Sequence, residues 1–471
     1  MQRAFLVAWG TVLIGALLWP LAGPGEFALR DMVVLHDPYL THSSLGFGDL
    51  PGRNVPQDAV LALLPPPATW TVRIMLIVSA AVSAFAATRL AGPHVVAQAA
   101  AMTISVANPF VIERLLQGHW SLVMAAWLLP AIAAAGQSKR TGWQIIALWG
   151  ASLTPTGGLA ATATAFVTNR RPIVALAGAV SCSPWIITGM LHPDAGRSAA
   201  ASAEAFAPRA EGLVGTLGAL LGLGGLWNGD AVPPSRDAGF AIFGVVLFAL
   251  LATAYRRIPA SFLLLAALGF GIAVFSWLAP GAMGWLIEHV PGAGLLRDGQ
   301  KWVMLAIPAY VAAAGALSRR WAAIALVLAF LQTPDAPRAM SVLSPVEVSV
   351  PAVDHQGRDV YFIDRPALIQ RTDGIPVVDP ATKAMNVVEA GGLRVDGVVL
   401  DEDSLRYQDG LDDPQAYGIG LIVHPDGTVE DTGAPARPRD PAGIALLVLW
   451  AITPLLGLIG RASSDGPRRR R

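Results

Sequence analysis

The chain has 471 residues, of which 54% are hydrophobic and 14% are charged, and its mean hydropathy is +0.53. Soluble domains usually carry about a quarter charged residues, so this composition excludes an ordinary soluble protein and indicates lipid as the main solvent. The formal net charge is zero, which gives no reason to expect a nucleic acid as partner. The single cysteine, Cys182, excludes an intramolecular disulfide and a Cys-x-x-Cys site.

A helix that crosses a bilayer needs about 20 mostly apolar residues. Apolar stretches predict about twelve membrane segments, at residues 4–22, 70–88, 95–112, 119–136, 143–154, 157–168, 172–191, 239–255, 260–279, 302–318, 321–333 and 441–460. Two of them, 143–154 and 157–168, are too short for ordinary spans and meet at a Thr-Pro-Thr-Gly-Gly break. We interpret these two as a helical pair that turns near the outer surface or inside the protein.

Basic residues cluster at every second junction between these segments, and such clusters collect on the cytoplasmic side of a membrane. The clusters are Arg3, Arg89, Lys139–Arg140, Arg170–Arg171, Arg256–Arg257, Arg319–Arg320, Arg461 and the Arg468–Arg471 tail. This pattern predicts a multi-pass plasma-membrane protein with both termini in the cytoplasm. Of the 33 acidic residues, only Asp465 then falls on the cytoplasmic side, which supports the same orientation. An N-terminal signal peptide is the alternative for residues 4–22, but their length favours a retained helix.

Three regions follow from this topology. Residues 1–334 form a membrane domain with a long first outward loop at 23–69, and residues 441–471 form the last membrane helix and a basic cytoplasmic tail. A loop of that length is uncommon unless it is functional. The apolar stretch 212–227 has outward flanks on both sides, which favours a re-entrant or interfacial helix.

Residues 335–440 are acidic and differ sharply from the membrane regions. Short β-type runs such as Val346–Val350, Asp359–Ile363 and Gly420–Val423 alternate with turn pairs such as Asp373-Gly374 and Asp426-Gly427. This pattern predicts a small extracytoplasmic domain of α/β or mostly β structure. No catalytic constellation stands out within it, so we interpret it as a binding or scaffolding domain.

Charged side chains close to the membrane lie in four outward segments: the loop 23–69, residues 108–120, residues 192–238 and residues 288–302. Ionisable residues at a membrane boundary are costly and are candidates for function. Arg297 and Lys301 are four residues apart on a predicted helix, so they share a face that suits a phosphate at the headgroup level. An interfacial ion pair in the second segment and snorkelling to lipid headgroups in the fourth are the alternatives that need no ligand.

Several other classes of function lack support in the sequence. The histidines have no zinc-binding spacing, so no metal site is predicted and a divalent metal has no support. No phosphate-binding loop for ATP is present, and apart from Arg73 near the start of the span 70–88 the predicted spans carry no charged residue for an ion-coupled transporter.

Together these segments resemble actinobacterial multi-pass proteins of the GT-C type, similar in layout to the mannosyl- and arabinofuranosyltransferases of mycobacterial envelope assembly. The motifs that carry the resemblance are Arg30-Asp31, Asn108-Pro109, Glu113-Arg114, Gly118-His119-Trp120, Gly224–Asn228 and Leu296–Lys301. The resemblance implies a GT-C-like α-helical polytopic fold and a polyprenyl-phosphate sugar as donor substrate, without a further cofactor. It also implies that an acid in the first outward loop is the general base.

Asp31 occupies the place of that base, with Glu26 and Asp37 as alternatives in the same loop. The residues predicted to bind substrate are Glu113, Arg114, His119, Arg297, Asp298 and Lys301. The expected function is extracytoplasmic sugar transfer to a cell-envelope glycolipid or polysaccharide. Two alternatives stay open: a non-catalytic scaffold or glycolipid-binding protein with envelope-biogenesis partners, and a transporter or flippase for a lipid-linked sugar.

Overall fold

The computed structural model describes residues 1–65, 67–192, 198–395 and 397–462. Asp194, Arg197, Asp465 and the Arg468–Arg471 tail, which the sequence pattern singled out, lie outside these residues. Within the described residues the chain is mainly helical, with four small sheets.

The chain contains nine α-helices up to residue 191. They are α1 Gln2–Leu18, α2 Gln57–Leu63, α3 Ala68–Leu90, α4 Val95–Val106, α5 Pro109–Leu116, α6 Trp120–Gln137, α7 Thr141–Ala151, α8 Pro155–Thr168 and α9 Pro172–Leu191, counted within the described residues. The break between α7 and α8 lies where the sequence predicted it, because Thr154 caps α8 by accepting a hydrogen bond from Gly157 N at 3.1 Å. Asn108 caps α5 in the same way through Val111 N, which divides the predicted span 95–112 into two helices.

The remaining helices alternate with short 3₁₀ turns. They are α10 Ser202–Ala205, α11 Gly215–Leu221, α12 Ile242–Ala252, α13 Ala260–Leu278, α14 Pro280–His289, α15 Ile307–Ala316, α16 Arg319–Leu331, α17 Ala336–Ala339, α18 Ala381–Ala384, α19 Leu405–Asp409, α20 Pro441–Ile452 and α21 Leu456–Ala462. The predicted span 302–318 begins within a 3₁₀ helix, Gly299–Ala306, that leads into α15. Arg297 ends a separate 3₁₀ turn, so Arg297 and Lys301 do not share a face of one α-helix as the sequence predicted.

By length and composition, seven helical segments within the described residues are able to cross a membrane. These are Gln2–Ala22, Ala68–Leu90, Val95–Leu116, Trp120–Gln137, Pro172–Leu191, Ala260–Leu278 and Pro441–Ile459. Large apolar side chains such as Ile74, Phe85 and Leu268 are exposed on them, as lipid-facing residues would be. The architecture is therefore consistent with a helical membrane protein.

Nine short strands form the four sheets among the described residues. The strands are β1 Phe27–Leu29, β2 Met32–Val34, β3 Asp359–Phe362, β4 Leu368–Gln370, β5 Pro376–Val378, β6 Leu393–Val395, β7 Val398–Asp401, β8 Ile419–Val423 and β9 Val429–Asp431. Three of the sheets are the antiparallel pairs β1–β2, β4–β5 and β6–β7. The fourth sheet has three strands in the order β3-β8-β9, with β3 parallel to β8. Residues 347–350, predicted as part of a strand, are irregular, and only Val346 pairs, with Glu26.

The polar region 346–440 is fastened to the loop 23–69. Tyr39 N donates to Lys383 O at 2.8 Å, and the ammonium of Lys383 pairs with Asp58 at 2.7 Å. The hairpin β1–β2 packs against β5, and Arg30 forms a parallel bridge with Val377. The loop and the polar region therefore fold against each other over their length.

A buried ion triad fixes the segment that follows α10. Arg236 pairs with Glu113 at 3.2 Å and also with Glu211, and all three side chains have no exposed surface. Glu113 additionally accepts from Leu226 N at 3.0 Å, and Glu211 accepts from Gly225 N at 2.9 Å. The triad therefore ties the apolar stretch around residues 212–227 to the end of α5.

Replacing Arg236 with Gln should destabilise the protein strongly, because it leaves two carboxylates buried without their cation. The expected loss in the free energy of unfolding is about 3–5 kcal/mol. Thermal unfolding of the purified protein in detergent measures the change. Arg209→Gln is the control, since its pair with Asp237 at 3.1 Å is partly exposed and should contribute less than about 1 kcal/mol. Equal melting temperatures for the two variants would contradict the role of the triad.

Candidate functional site

Asp31 lies at the tip of the β1–β2 hairpin. Leu29 pairs with Met32, so Arg30 and Asp31 form a two-residue turn. Arg30 has a positive φ of 49°, in a position where hairpins usually require glycine. Its guanidinium donates to Leu116 O at 2.5 Å and to Asp230 O at 2.7 Å, and these bonds hold the strained turn in place.

Gly118 allows this hairpin tip to approach the turn after α5. Its φ is +86°, and a Cβ at this position would lie 2.4 Å from Leu29 O and 2.5 Å from Met32 N. Asp31 N donates to Gln117 O at 3.3 Å across the same contact. The backbone of residues 117–119 therefore sets where the Asp31 side chain points.

Two side chains from that turn hold the carboxylate of Asp31 through the same oxygen. Oδ2 accepts from Gln117 Nε2 at 2.7 Å and lies 3.0 Å from His119 Nε2. Oδ1 has no hydrogen-bond partner among the described residues, and 44% of the side chain is exposed. Burial opposes ionisation, but the hydrogen bonds from His119 and Gln117 outweigh it and lower the pKa of Asp31. Asp31 is thus an ionised acid with one oxygen open to a ligand.

The orientation of both donors is determined by their other partners. Arg114 Nη1 lies 3.1 Å from His119 Nδ1, and because a guanidinium only donates, Nδ1 must accept and the ring proton must be on Nε2. Asn228 Nδ2 donates to Gln117 Oε1 at 2.7 Å, so the amide nitrogen of Gln117 faces Asp31. His119 and Gln117 are therefore positioning residues for the carboxylate.

Arg114 is wholly buried and is compensated by Asp298. Its two terminal nitrogens donate to the two carboxylate oxygens at 2.5 and 2.8 Å, and Gln300 Oε1 accepts from the guanidinium as well. Burial would raise the pKa of Asp298, but the charge of Arg114 dominates and lowers it to about 2. This pair joins α5 to the segment that precedes α15.

Three further basic residues lie near this set of contacts, and one of them, Arg53, is within electrostatic range of Asp31. Lys301 makes no ion pair within the described residues, and burial lowers its pKa to about 8. Arg53 has 52% of its side chain exposed and lies 3.7 Å from Asp401. Arg297 is largely buried, pairs with Asp401 at 2.7 Å and stacks on the ring of Phe206 at 4.4 Å.

These groups act on one another electrostatically, and we call the set of Asp31, Arg53, Arg297, Lys301 and Asp401 the recess. Arg53 is influenced by the charges of both Asp31 and Arg297, and Lys301 by those of Arg297 and Arg53. Arg53 and Arg297 both reach the carboxylate of Asp401. This set combines an acceptor for a proton with cations for an anion.

The structure brings most of the predicted site residues together. Asp31, His119, Arg114 and Asp298 form one connected set of contacts. Glu113 lies apart from this connected set. It precedes Arg114 on α5, and successive side chains on a helix point about 100° apart, so its carboxylate is enclosed with Arg236 instead.

The sequence did not single out Gln117, Asn228, Arg53 or Asp401 as site residues. The first three lie in the polar segments that the sequence predicts to face outward, and this position is only a weak indication of a role in the site. Asp401 is one acid among many in the polar region and carries none. Among the described residues, no group of three or more His, Cys, Asp or Glu side chains is placed to hold a metal ion.

No protein-family model, curated protein or solved structure matches this chain. The contacts within the recess are therefore the basis for assigning it a function.

Replacing Gly118 with Ala should displace the Asp31 hairpin. The added Cβ meets Leu29 O and Met32 N, and the positive φ adds strain, so the cost should be about 2 kcal/mol or more. Thermal unfolding reports the loss of stability, and proteolysis of loop 23–69 reports the released hairpin. Gly271→Ala is the control, since a Cβ there meets nothing within 4 Å. A Gly118→Ala protein as stable as the control would show that the hairpin does not need this close contact.

Proposed function

We propose that this protein transfers a sugar from a polyprenyl-phosphate donor to a hydroxyl group of a cell-envelope glycolipid or polysaccharide. The observation that carries the proposal is Asp31, whose Oδ2 is held by two oriented donors, while Oδ1 makes no hydrogen bond among the described residues and Arg53 lies within electrostatic range. A held, ionised carboxylate with one open oxygen suits a general base. The neighbouring Arg53 and Lys301 suit a phosphate leaving group.

In this mechanism the oxygen of the acceptor hydroxyl attacks the anomeric carbon of the donor sugar. Oδ1 of Asp31 takes the hydroxyl proton as the new carbon–oxygen bond forms. The bond between the anomeric carbon and the phosphate oxygen breaks, and its electron pair leaves with the polyprenyl phosphate. Lys301, Arg53 and Arg297 lower the barrier to the extent that they bind the departing phosphate more tightly than the intact donor.

A lipid-linked donor requires the recess to lie at the level of the lipid headgroups. We therefore propose the topology indicated by the charge pattern, with about twelve membrane segments, both termini in the cytoplasm and the region 335–440 outside. The position of Asp31, a few residues after the candidate span Gln2–Ala22, supports this placement. The seven apolar helices account for the longer of these segments.

A non-catalytic glycolipid-binding scaffold is the second candidate. The observation that favours it is the pairing of Arg114 with Asp298 and of Arg297 with Asp401, which leaves fewer unpaired cations than the sequence suggested. A scaffold would bind the lipid-linked phosphate in the same recess without using Asp31 as a base.

Replacing Asp31 with Asn should reduce sugar transfer by about two to four orders of magnitude, because the amide cannot accept the proton. Donor binding should be largely retained. The assay uses purified protein, a polyprenyl-phosphate sugar and a membrane glycolipid acceptor, with radiolabelled sugar followed into the product. Asp37→Asn is the matched control, an exposed acid in the same loop. Near-normal transfer by Asp31→Asn would move the base to another acid, and donor binding without transfer by the unmodified protein would establish the scaffold.

The proposed orientation predicts opposite labelling of two exposed serines. In a Cys182→Ser background, Ser341→Cys should react with a membrane-impermeant maleimide added to intact cells, because it is exposed and lies within the proposed outer region 335–440. Ser318→Cys, beside Arg319 and Arg320, should react only after the membrane is permeabilised. Labelling of Ser318→Cys in intact cells would show that the orientation is reversed.

A further inference from the structure

Asp401 occupies a position that a bound anion would take. Its carboxylate accepts from Arg297 Nη1 at 2.7 and 2.9 Å and from Ser198 Oγ at 2.6 Å, and it lies 3.7 Å from Arg53 Nη2. Only 7% of its side chain is exposed. Two arginines and a hydroxyl converging on one pair of oxygens form the set of donors that also binds a phosphate group.

The segment that carries Asp401 is loosely connected to the rest of the polar region. Asp401 ends β7, which pairs only with β6 among the described strands. The pair contacts the body through Asp401, through a hydrogen bond from Ala199 N to Leu400 O at 2.9 Å, and through the packing of β7 with the buried Leu400 against α10. The β3-β8-β9 sheet, by contrast, has two buried apolar clusters of its own. Asp401 can therefore move without unfolding that sheet.

The charges around the recess do not balance when Asp401 is their only partner. Arg53, Arg297 and Lys301 contribute three cations, whereas Asp298 is already taken by Arg114. Asp31 faces the same recess, but its Oδ2 is taken up by His119 and Gln117. One carboxylate shared between two arginines leaves Lys301 without an ion-pair partner within the described residues. The recess can thus accept one further negative charge, or exchange Asp401 for a group with more than one.

We propose that Arg53, Arg297 and Lys301 form a phosphate-binding site whose resting occupant is the carboxylate of Asp401, which gives way when the ligand phosphate enters. This inference rests on the proposed function, since it names the residues that would bind the leaving group, a polyprenyl phosphate that becomes a phosphomonoester when the sugar is transferred. A phosphomonoester carries more charge than a carboxylate and offers a third oxygen, so it can engage Lys301 as well as the two arginines. The exchange makes Asp401 an internal competitor that weakens binding.

The test is a titration of the full-length protein in nanodiscs at pH 7, with farnesyl phosphate and with inorganic phosphate in separate arms. Asp401→Asn should tighten binding by about tenfold, because the competing carboxylate is lost while the cations remain. Arg53→Gln should weaken binding by about the same factor, because one phosphate donor is removed. Asp431→Asn is the matched control, since it breaks an exposed pair with Arg358 in the same region and should leave the affinity unchanged.

The outcomes distinguish an exchangeable phosphate site from a permanent structural ion pair between Arg297 and Asp401. Unchanged or weaker binding by a folded Asp401→Asn protein would overturn the exchange. Should Asp401→Asn fail to fold, Arg53→Gln decides, because it leaves the contact between Arg297 and Asp401 intact, and an unchanged affinity overturns the site. A response to both probes supports recognition of phosphate alone, and a response to farnesyl phosphate only supports recognition of a lipid phosphate. The absence of binding by either probe overturns the proposal.

The titration contains no acceptor and does not depend on sugar transfer. Tighter binding by Asp401→Asn in a protein that transfers no sugar would support the phosphate site and refute the proposed enzyme. Sugar transfer by the unmodified protein, with no change of phosphate affinity in Asp401→Asn, would support the proposed enzyme and refute the exchange of Asp401 for phosphate.

Discussion

The ion pair between Arg114 and Asp298 is the interaction on which the rest of the site depends. Arg114 has no exposed surface, and a buried charge without a partner would cost several kcal/mol, so the two segments must come together for either to be stable. Once Arg114 has bound Asp298 and Gln300, it has one N–H left for His119, and this bond selects the ring tautomer that donates to Asp31. The buried pair of Arg114 and Asp298 thereby sets the distance between α5 and the segment before α15. Through His119 it also determines which proton is donated to Asp31.

The recess is shared between the helical body and the polar region. The helical body contributes His119 and Lys301, the first loop contributes Asp31 and Arg53, and the polar region contributes Asp401. The polar region is thus more than an appended domain, because its contacts with loop 23–69 keep that loop folded over the site. This arrangement explains how a loop rich in glycine and proline can hold a carboxylate in a defined direction.

Neighbouring residues on α5 have separate roles for a geometric reason. Successive side chains on a helix point about 100° apart, so Glu113 and Arg114 enter different surroundings. Glu113 turns toward Arg236 and anchors the apolar segment near Leu226, whereas Arg114 turns toward Asp298. The sequence pattern grouped the two as substrate-binding residues because both are charged and lie at a membrane boundary. Their burial gives both of them structural partners, and only the contact with His119 connects this pair to the recess.

The sequence by itself determined the helical, membrane-type character of the chain, most helix positions and the breaks at Asn108 and Thr154, because length, hydropathy and capping are local properties. It also located the charged segments from which the recess is built. Only the tertiary structure decided which charges meet. Arg114 and Asp298 are 184 residues apart, and Arg297 and Asp401 are 104 apart. Charge attraction has no preferred partner along a chain, so these pairings depend on how the helices and the polar region pack. The same packing decides that Oδ1 of Asp31 stays open while Oδ2 is held.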